Sequence, residues 1–211
     1  MGALLDKTAL VTGGTSGIGL AAARRLADEG AHVYITGRSR HRVDEALAQI
    51  GAGAVGVVND VSDFADIAAV AQAVEAGGRG LDVVFTNAGG GSFATIEEIT
   101  VDHYRDTFNR NVGGTLFTVQ KLIPLLNAGA SVILSGSTSA SRGVPAFGVY
   151  AASKAAVRSL GRTLAAELAD RGVRVNTIVP GPVETPGLRG LAPAGAEAEL
   201  LSQLDGGDVK V

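Results

Sequence analysis

The segment from Thr8 to Gly30 constrains the fold more than any other part of the chain. Thr8-Ala9-Leu10-Val11-Thr12 is a short aliphatic and β-branched run, and it breaks at once into Gly13-Gly14-Thr15-Ser16-Gly17-Ile18-Gly19. Leu20 to Asp28 then reads as a helix closed by Gly30. Strand, glycine turn and helix in immediate succession bring free backbone N–H groups and the positive end of a helix dipole to one point, where a phosphate is stabilised. Glycines permit the tight turn and the close approach of a ligand to the backbone. The spacing is G-x-x-x-G-x-G, from Gly13 through Gly17 to Gly19, rather than the commoner G-x-G-x-x-G. No lysine follows the loop in the Walker position, which argues against an ATPase or GTPase.

Downstream, aliphatic strands alternate with amphipathic helices. The pattern predicts strands near 8–12, 32–36, 54–58, 82–85, 131–135 and 173–178. Helices are expected near 17–29, 42–50, 63–76, 97–109, 111–127 and 147–171. Such alternation specifies an α/β fold, a doubly wound, Rossmann-like parallel sheet of six main strands with helices on both faces. A length of 211 residues suits one domain, taken as 1–211, and 46% hydrophobic content with 18% charged residues suits a packed core. A formal net charge of −3 speaks against nucleic acid or an anionic membrane as partner, since both require a basic face. There are no cysteines, which excludes disulfides and thiolate metal sites. His32, His41 and His103 have no metal-ligand spacing, so no metal is expected. No apolar run approaches the ~18 residues of a membrane span. The N-terminus lacks a basic-then-apolar leader, and Asp6 stands where myristoylation requires Ser or Thr, so a cytoplasmic location is the expectation.

The second strand ends in Thr36-Gly37-Arg38-Ser39-Arg40. A site for NAD places Asp or Glu about 20 residues beyond the glycines, on the ribose hydroxyls. Here there is no carboxylate and there are two arginines, and guanidinium suits a 2′-phosphate. NADP is therefore favoured, with NAD still compatible. Two readings stay open, because Arg38 could stack on adenine with either cofactor and Ser16 stands where a basic residue would have strengthened the case for NADP.

Tyr150-Ala151-Ala152-Ser153-Lys154 places a phenol and an ammonium one helical turn apart, on one helix face. A tyrosine titrating near pH ~10 carries protons poorly at neutral pH, and a cation within ~4–6 Å favours its phenolate. The pair is thus a candidate general acid/base, against the plainer alternative of a surface helix contact.

Read together, these segments resemble the short-chain dehydrogenase/reductase family in its compact one-domain branch, from Thr8 to about Leu188. Thr12 to Gly19 is similar to that family's T-G-x-x-x-G-x-G loop, and Thr86-Asn87-Ala88-Gly89 to its N-N-A-G turn, with Thr in place of the first Asn. Ser137 precedes Tyr150 by the family's usual thirteen residues, Asn111 sits where the family keeps its helix asparagine, and Pro180-Gly181-Pro182-Val183-Glu184-Thr185 resembles its P-G-x-V-x-T loop. The resemblance implies a hydride transfer between a nicotinamide cofactor and a small carbonyl or alcohol. It makes Tyr150 the general acid/base, Ser137 a donor to the substrate oxygen, and Lys154 the holder of the nicotinamide ribose that depresses the tyrosine pKa. Asn111 would fix a water that joins Lys154 to solvent. Gly13, Thr15, Ser16, Gly17, Ile18, Gly19 and Arg38 would hold the phosphates and adenosine ribose, Asp60 and Val61 the adenine. Asn87, Ala88 and Gly89 would line the cofactor, with Pro180, Gly181, Val183 and Thr185 on the carboxamide side. Plainer roles remain for Ser137, in the hydroxyl-rich Ser135–Ser139 turn, and for Asn111, which could be a helix cap.

Beyond Thr185 the likeness fades. Relatives continue through a substrate-covering region and a seventh strand, whereas one short helix, Ala194 to Leu204, is expected here before Asp205-Gly206-Gly207, which resembles the family's ending. The sixth strand is then expected to lack its usual neighbour. A homodimer through the helices bearing Asn111 and Tyr150 is expected, and a tetramer is doubtful. A cofactor-binding protein without catalysis is the alternative function. An epimerase of the larger related branch would need a C-terminal substrate domain.

Overall fold

The computed structural model describes residues 2–191. Its centre is a six-stranded, all-parallel sheet in the order β3-β2-β1-β4-β5-β6. The strands are β1 (Thr8–Val11), β2 (His32–Gly37), β3 (Val55–Val58), β4 (Leu81–Thr86), β5 (Leu126–Ser135) and β6 (Arg174–Ile178). Helices α1 (Gly17–Asp28), α2 (Arg40–Ile50), α3 (Ile67–Gly77), α4 (Val101–Phe108), α5 (Gly114–Leu122), α6 (Gly148–Glu167) and the single turn α7 (Pro186–Arg189) complete it. The central strand β1 is buried throughout, with Ala9, Leu10 and Val11 at 0% exposure, as expected of a strand covered on both faces.

Two cores flank the sheet. One gathers Leu10, Val70, Val74, Val84, Leu122, Val132, Val157 and Leu164, drawing on α3, α5 and α6. The other gathers Ala9, Val11, Ala23, Val33, Ile35, Ala46 and Phe85 beneath α1 and α2. Strand order reverses between β1 and β4, and in open α/β sheets ligands bind at the carboxyl ends of the strands at such a switch point.

Several expected boundaries move for local reasons. α3 starts at Ile67 instead of 63, because Asp63 and Asp66 close a turn first: Ala65 N donates to Asp63 Oδ1 at 3.0 Å and Asp66 N to Asp63 O at 3.1 Å. α4 starts at Val101 instead of 97, with Thr100 accepting from His103 N at 3.0 Å as its cap. The two helices expected at 97–109 and 111–127 are joined by one wide π turn, Asn109–Gly113, and end earlier in a tight turn, Ile123–Leu125, that holds Pro124. Residues 126–130, expected as helix end and loop, open β5 instead, and their pairing with β4 shifts register between Leu81 and Val83. α6 stops at Glu167, and a short turn carries the chain to Gly172, which has φ +67°. β6 lies at the edge of the sheet among the described residues. The helix expected at 194–204 and the Asp205-Gly206-Gly207 ending lie outside them. No described helix is long and apolar enough to cross a membrane.

Candidate active site

A cleft of about 600 Å³ opens at the carboxyl ends of β1, β2 and β4. Gly13, Thr15, Ser16, Gly17 and Ile18 form one wall, Arg38, Asp60 and Val61 a second, and Asn87, Ala88, Gly89 and Thr185 the end nearest the candidate catalytic residues. The N-terminus of α1 faces it with neither an acidic residue in its first turn nor a side-chain cap from Ser16. Its first backbone N–H groups therefore lack an internal partner and suit an anion. Gly17 has φ +51°, a left-handed conformation that favours glycine, and a Cβ there would lie 3.1 Å from the Thr185 methyl. These features fit a dinucleotide pyrophosphate.

Gly19 behaves differently from expectation. It does not line the cleft, and a methyl there would overlap the Gly13 carbonyl oxygen and the Asn87 amide. It lets α1 pack close, while Asn87 Nδ2 donates to the carbonyls of Thr12 at 3.1 Å and Gly13 at 3.2 Å. Pro180, Gly181 and Val183 also stand away from the cleft lining, and Pro180 O accepts from Thr138 N at 3.0 Å.

The basic cluster divides in a way the sequence did not reveal. Arg38 lines the cleft, but Arg40 turns outward to Asp44 at 3.7 Å. Arg42, two residues on, takes the second place at the cleft, beside Ser39, whose hydroxyl caps α2. Thr36, Gly37, Asn59, Arg110 and Gly187 are further lining residues to which the sequence reading gave no site role. For Arg42 a signal existed: Ser39 is a helix N-cap, and a residue three positions on lies over that end of the helix. Arg110 depends on the π turn, which no local pattern announces. Burial draws the Asp60 carboxyl upward, but bonds from the Ser62 hydroxyl and backbone and the Arg38 and Arg110 guanidiniums hold it below the usual carboxylate range. Ser62 Oγ lies 2.6 Å from Asp60 Oδ1.

Ser137, Tyr150, Lys154 and Asn111 assemble just beyond the cleft. Lys154 is 4% exposed, and its Nζ donates to the carbonyl of Ser135 at 2.9 Å. The junction with the cleft is Gly89, where a Cβ would lie 3.1 Å from Lys154 Nζ and 2.9 Å from Asn111 Oδ1. Asn111 is wholly buried in the π turn. Its Nδ2 donates to Gly90 O and to Ser153 Oγ, both at 2.9 Å, while its Oδ1 accepts from Gly90 N at 2.9 Å. Ser153 passes the chain on, donating to the Tyr150 carbonyl at 2.7 Å. Asn111 thus clamps the glycine segment 89–91 to α6. The Tyr150 ring stacks on Phe147 at 4.2 Å between centroids. A Cβ on Gly91 would come within 2.7 Å of Tyr150 Cδ2.

The titration of this pair departs from expectation. Burial raises the Tyr150 phenol above its ordinary value, and the Ser137 hydroxyl beside it acts in the opposite, lowering direction. Lys154 Nζ lies 5.7 Å from the ring centroid and is bonded to the Ser135 carbonyl, and burial, the largest influence on the phenol, prevails. Burial lowers Lys154 itself from 10.5 to about 8. Loss of water is the largest influence on both groups.

Comparison with known proteins accords with this geometry. Residues 7–194 match the family described as short chain dehydrogenase. An oxidoreductase of Sarocladium schorii is 42% identical over 184 residues, which cover 86% of this chain and 74% of that protein. The hydroxynaphthalene reductase of Aspergillus fumigatus is 37% identical, over 86% of this chain and 68% of its own length. Among solved structures, a short chain dehydrogenase from Burkholderia cenocepacia in complex with NADP superposes with a TM-score of 0.85 at 35% identity, covering 93% of this chain and 81% of that one. Sequence, sheet order and glycine cradle agree, and the chain belongs to the short-chain dehydrogenase/reductase family of oxidoreductases.

Proposed function

We propose that this chain interconverts a carbonyl and an alcohol with NADP as the preferred nicotinamide cofactor and NAD as the weaker alternative. The observation that carries the reading is the meeting of a buried lysine, a phenol and a serine hydroxyl just beyond one end of a dinucleotide-sized cleft, joined to it at Gly89. The α1 N-terminus and Gly17 would hold the pyrophosphate, Asp60 and Val61 the adenine, and Arg38 and Arg42 a 2′-phosphate. The cofactor, when bound, supplies or accepts the hydride.

The protein's own part is proton handling and position. In reduction, Tyr150 Oη donates its proton to the substrate oxygen as negative charge builds there, and Ser137 Oγ donates a second hydrogen bond to the same oxygen. A phenol kept protonated by burial is ready for this role as an acid. Lys154, largely charged at neutral pH, faces the phenolate left behind and favours it. Asn111 holds the glycine segment between this group and the cleft, and by the family resemblance it would also fix a water that links Lys154 to solvent. The same reading makes the protein a cytoplasmic homodimer through α5 and α6. Tyr150→Phe tests the assignment: cofactor affinity should hold while turnover of a ketone panel falls at least a thousandfold, and unaltered turnover refutes it.

A further inference from the structure

Among the described residues two buried side-chain atoms capable of hydrogen bonding have no partner, Thr8 Oγ1 and Asn59 Nδ2. Thr8 opens β1, at the end of the strand away from the cleft. Asn59 follows directly on β3 and lines the cleft. It is 2% exposed, and its backbone N donates to Gly37 O at 3.0 Å, which continues the pairing of β2 with β3 by one residue and fixes the backbone there. A buried amide donor without an acceptor weakens a fold, because it has given up its water and gained nothing in exchange. At the wall of a ligand cleft, that acceptor can come from the ligand.

The position of Asn59 in the cleft identifies the acceptor. The α1 N-terminus suits phosphate, and so do Arg38 and Arg42, whereas Asn59 stands at the end of β3 beside Asp60 and Val61, where the reading above places the adenine. Adenine presents an amino donor together with ring nitrogens that accept. The Asp60 carboxylate, held ionised by its neighbours, can only accept, so it suits the amino group and leaves the ring nitrogens unmatched. The Asn59 amide is the complementary donor. Its last torsion is soft and broad, so a turn of the carboxamide can present the amino group to the cleft. From this juxtaposition we infer that Asn59 recognises the adenine ring, donating from Nδ2 to a ring nitrogen of the bound dinucleotide. The inference rests on the hydride-transfer reading for the presence of the cofactor and adds to it a residue that reads the base.

The experiment titrates NADPH and NADH into the native chain, Asn59→Leu and Asn59→Ala, and follows urea unfolding of the native chain and Asn59→Leu without cofactor. Leucine keeps the branched shape and removes the idle donor, while alanine leaves space and shows whether leucine merely obstructs the cleft. Because both cofactors carry the same base, each variant is expected to weaken both by the same factor, about two- to twelvefold. The urea midpoint of Asn59→Leu should equal or exceed that of the native chain. Affinities unchanged in both variants overturn the inference, as does a loss confined to NADPH, which would mark a contact with the 2′-phosphate, or a loss confined to Asn59→Leu. A lower midpoint or failure to fold in Asn59→Leu also overturns it, since the amide would then be holding the fold. All these outcomes leave the reductase reading standing, whereas failure of both cofactors to bind the native chain removes that reading as well.

Discussion

Lys154 offers the most quantitative test of the buried centre. Moving a lysine from 10.5 to about 8 by burial means that, at neutral pH, folding carries a penalty on the order of 3 kcal/mol for sequestering its charge. The sign follows from proton counting. Between about 8 and 10.5 the unfolded chain binds more protons at this site than the folded one, so stability rises with pH across that window. Below about 8 the penalty is complete, and by pH 10 most of it, on the order of 2 kcal/mol, is relieved. Lys154→Met keeps the apolar stem and removes the titration. Urea unfolding of both proteins at pH 7 and pH 10 gives a double difference in which the remaining lysines and tyrosines cancel. The native chain should gain about 2 kcal/mol relative to the variant between those pH values, equivalent to a relative Tm shift of about 4–8 °C for a chain of this size. Parallel pH dependence in the two proteins would show that the ammonium is hydrated, and the reasoning about the site would fail.

Three further outcomes follow from the geometry. Arg42→Ala should weaken NADPH binding about tenfold or more by titration and leave NADH almost unaffected, whereas Arg40→Ala, whose side chain pairs with Asp44, should alter neither. Asn111→Ala strips the partners from Gly90 N, Gly90 O and Ser153 Oγ in a buried place, so the chain should lose about 2–4 kcal/mol in urea unfolding. Gly91→Ala sets a methyl 2.7 Å from Tyr150 Cδ2; the ring must move, and kcat should fall at least tenfold with cofactor affinity retained.

What could be read in the sequence was what local chemistry decides. The run from Thr8 through Gly19 carries its strand, its turn and its helix start in adjacent residues, and all of these form where expected. Alternation of strands and helices was enough for a six-stranded parallel sheet with helices on both faces, whereas the order that puts β1 and β4 at its centre is seen only in the structure. Less legible were features fixed by distant partners. Asn127-Ala128-Gly129 looks like a turn and does loop out, yet it lies within β5, between Leu126, which pairs with Leu81, and Ser131, which pairs with Val83. Arg40 and Arg42 are chemically equal in the sequence, and only the start of α2 at Arg40 sends one outward and the other to the cleft. The Tyr150–Lys154 spacing was correct, but the direction of the tyrosine shift was not. It depends on Phe147, Gly91 and the Ser135 carbonyl, which remove water from both heads.

The π turn at Asn109–Gly113 has an evolutionary and practical corollary. A π turn holds one residue more than an α turn, so it can be erased by deleting a single amino acid and the helix would run on smoothly. Because the wide turn absorbs that extra residue, the helix beyond it would keep its facing, and Val119 and Leu122 would stay in the core. What the deletion would remove is the bulge that carries Asn111, and with it the carboxamide now gripping Gly90. A single deletion here should therefore spare the packing of α5 and abolish the clamp, even though nothing in the composition of the turn, Asn-Arg-Asn-Val-Gly, sets it apart from an ordinary stretch of helix.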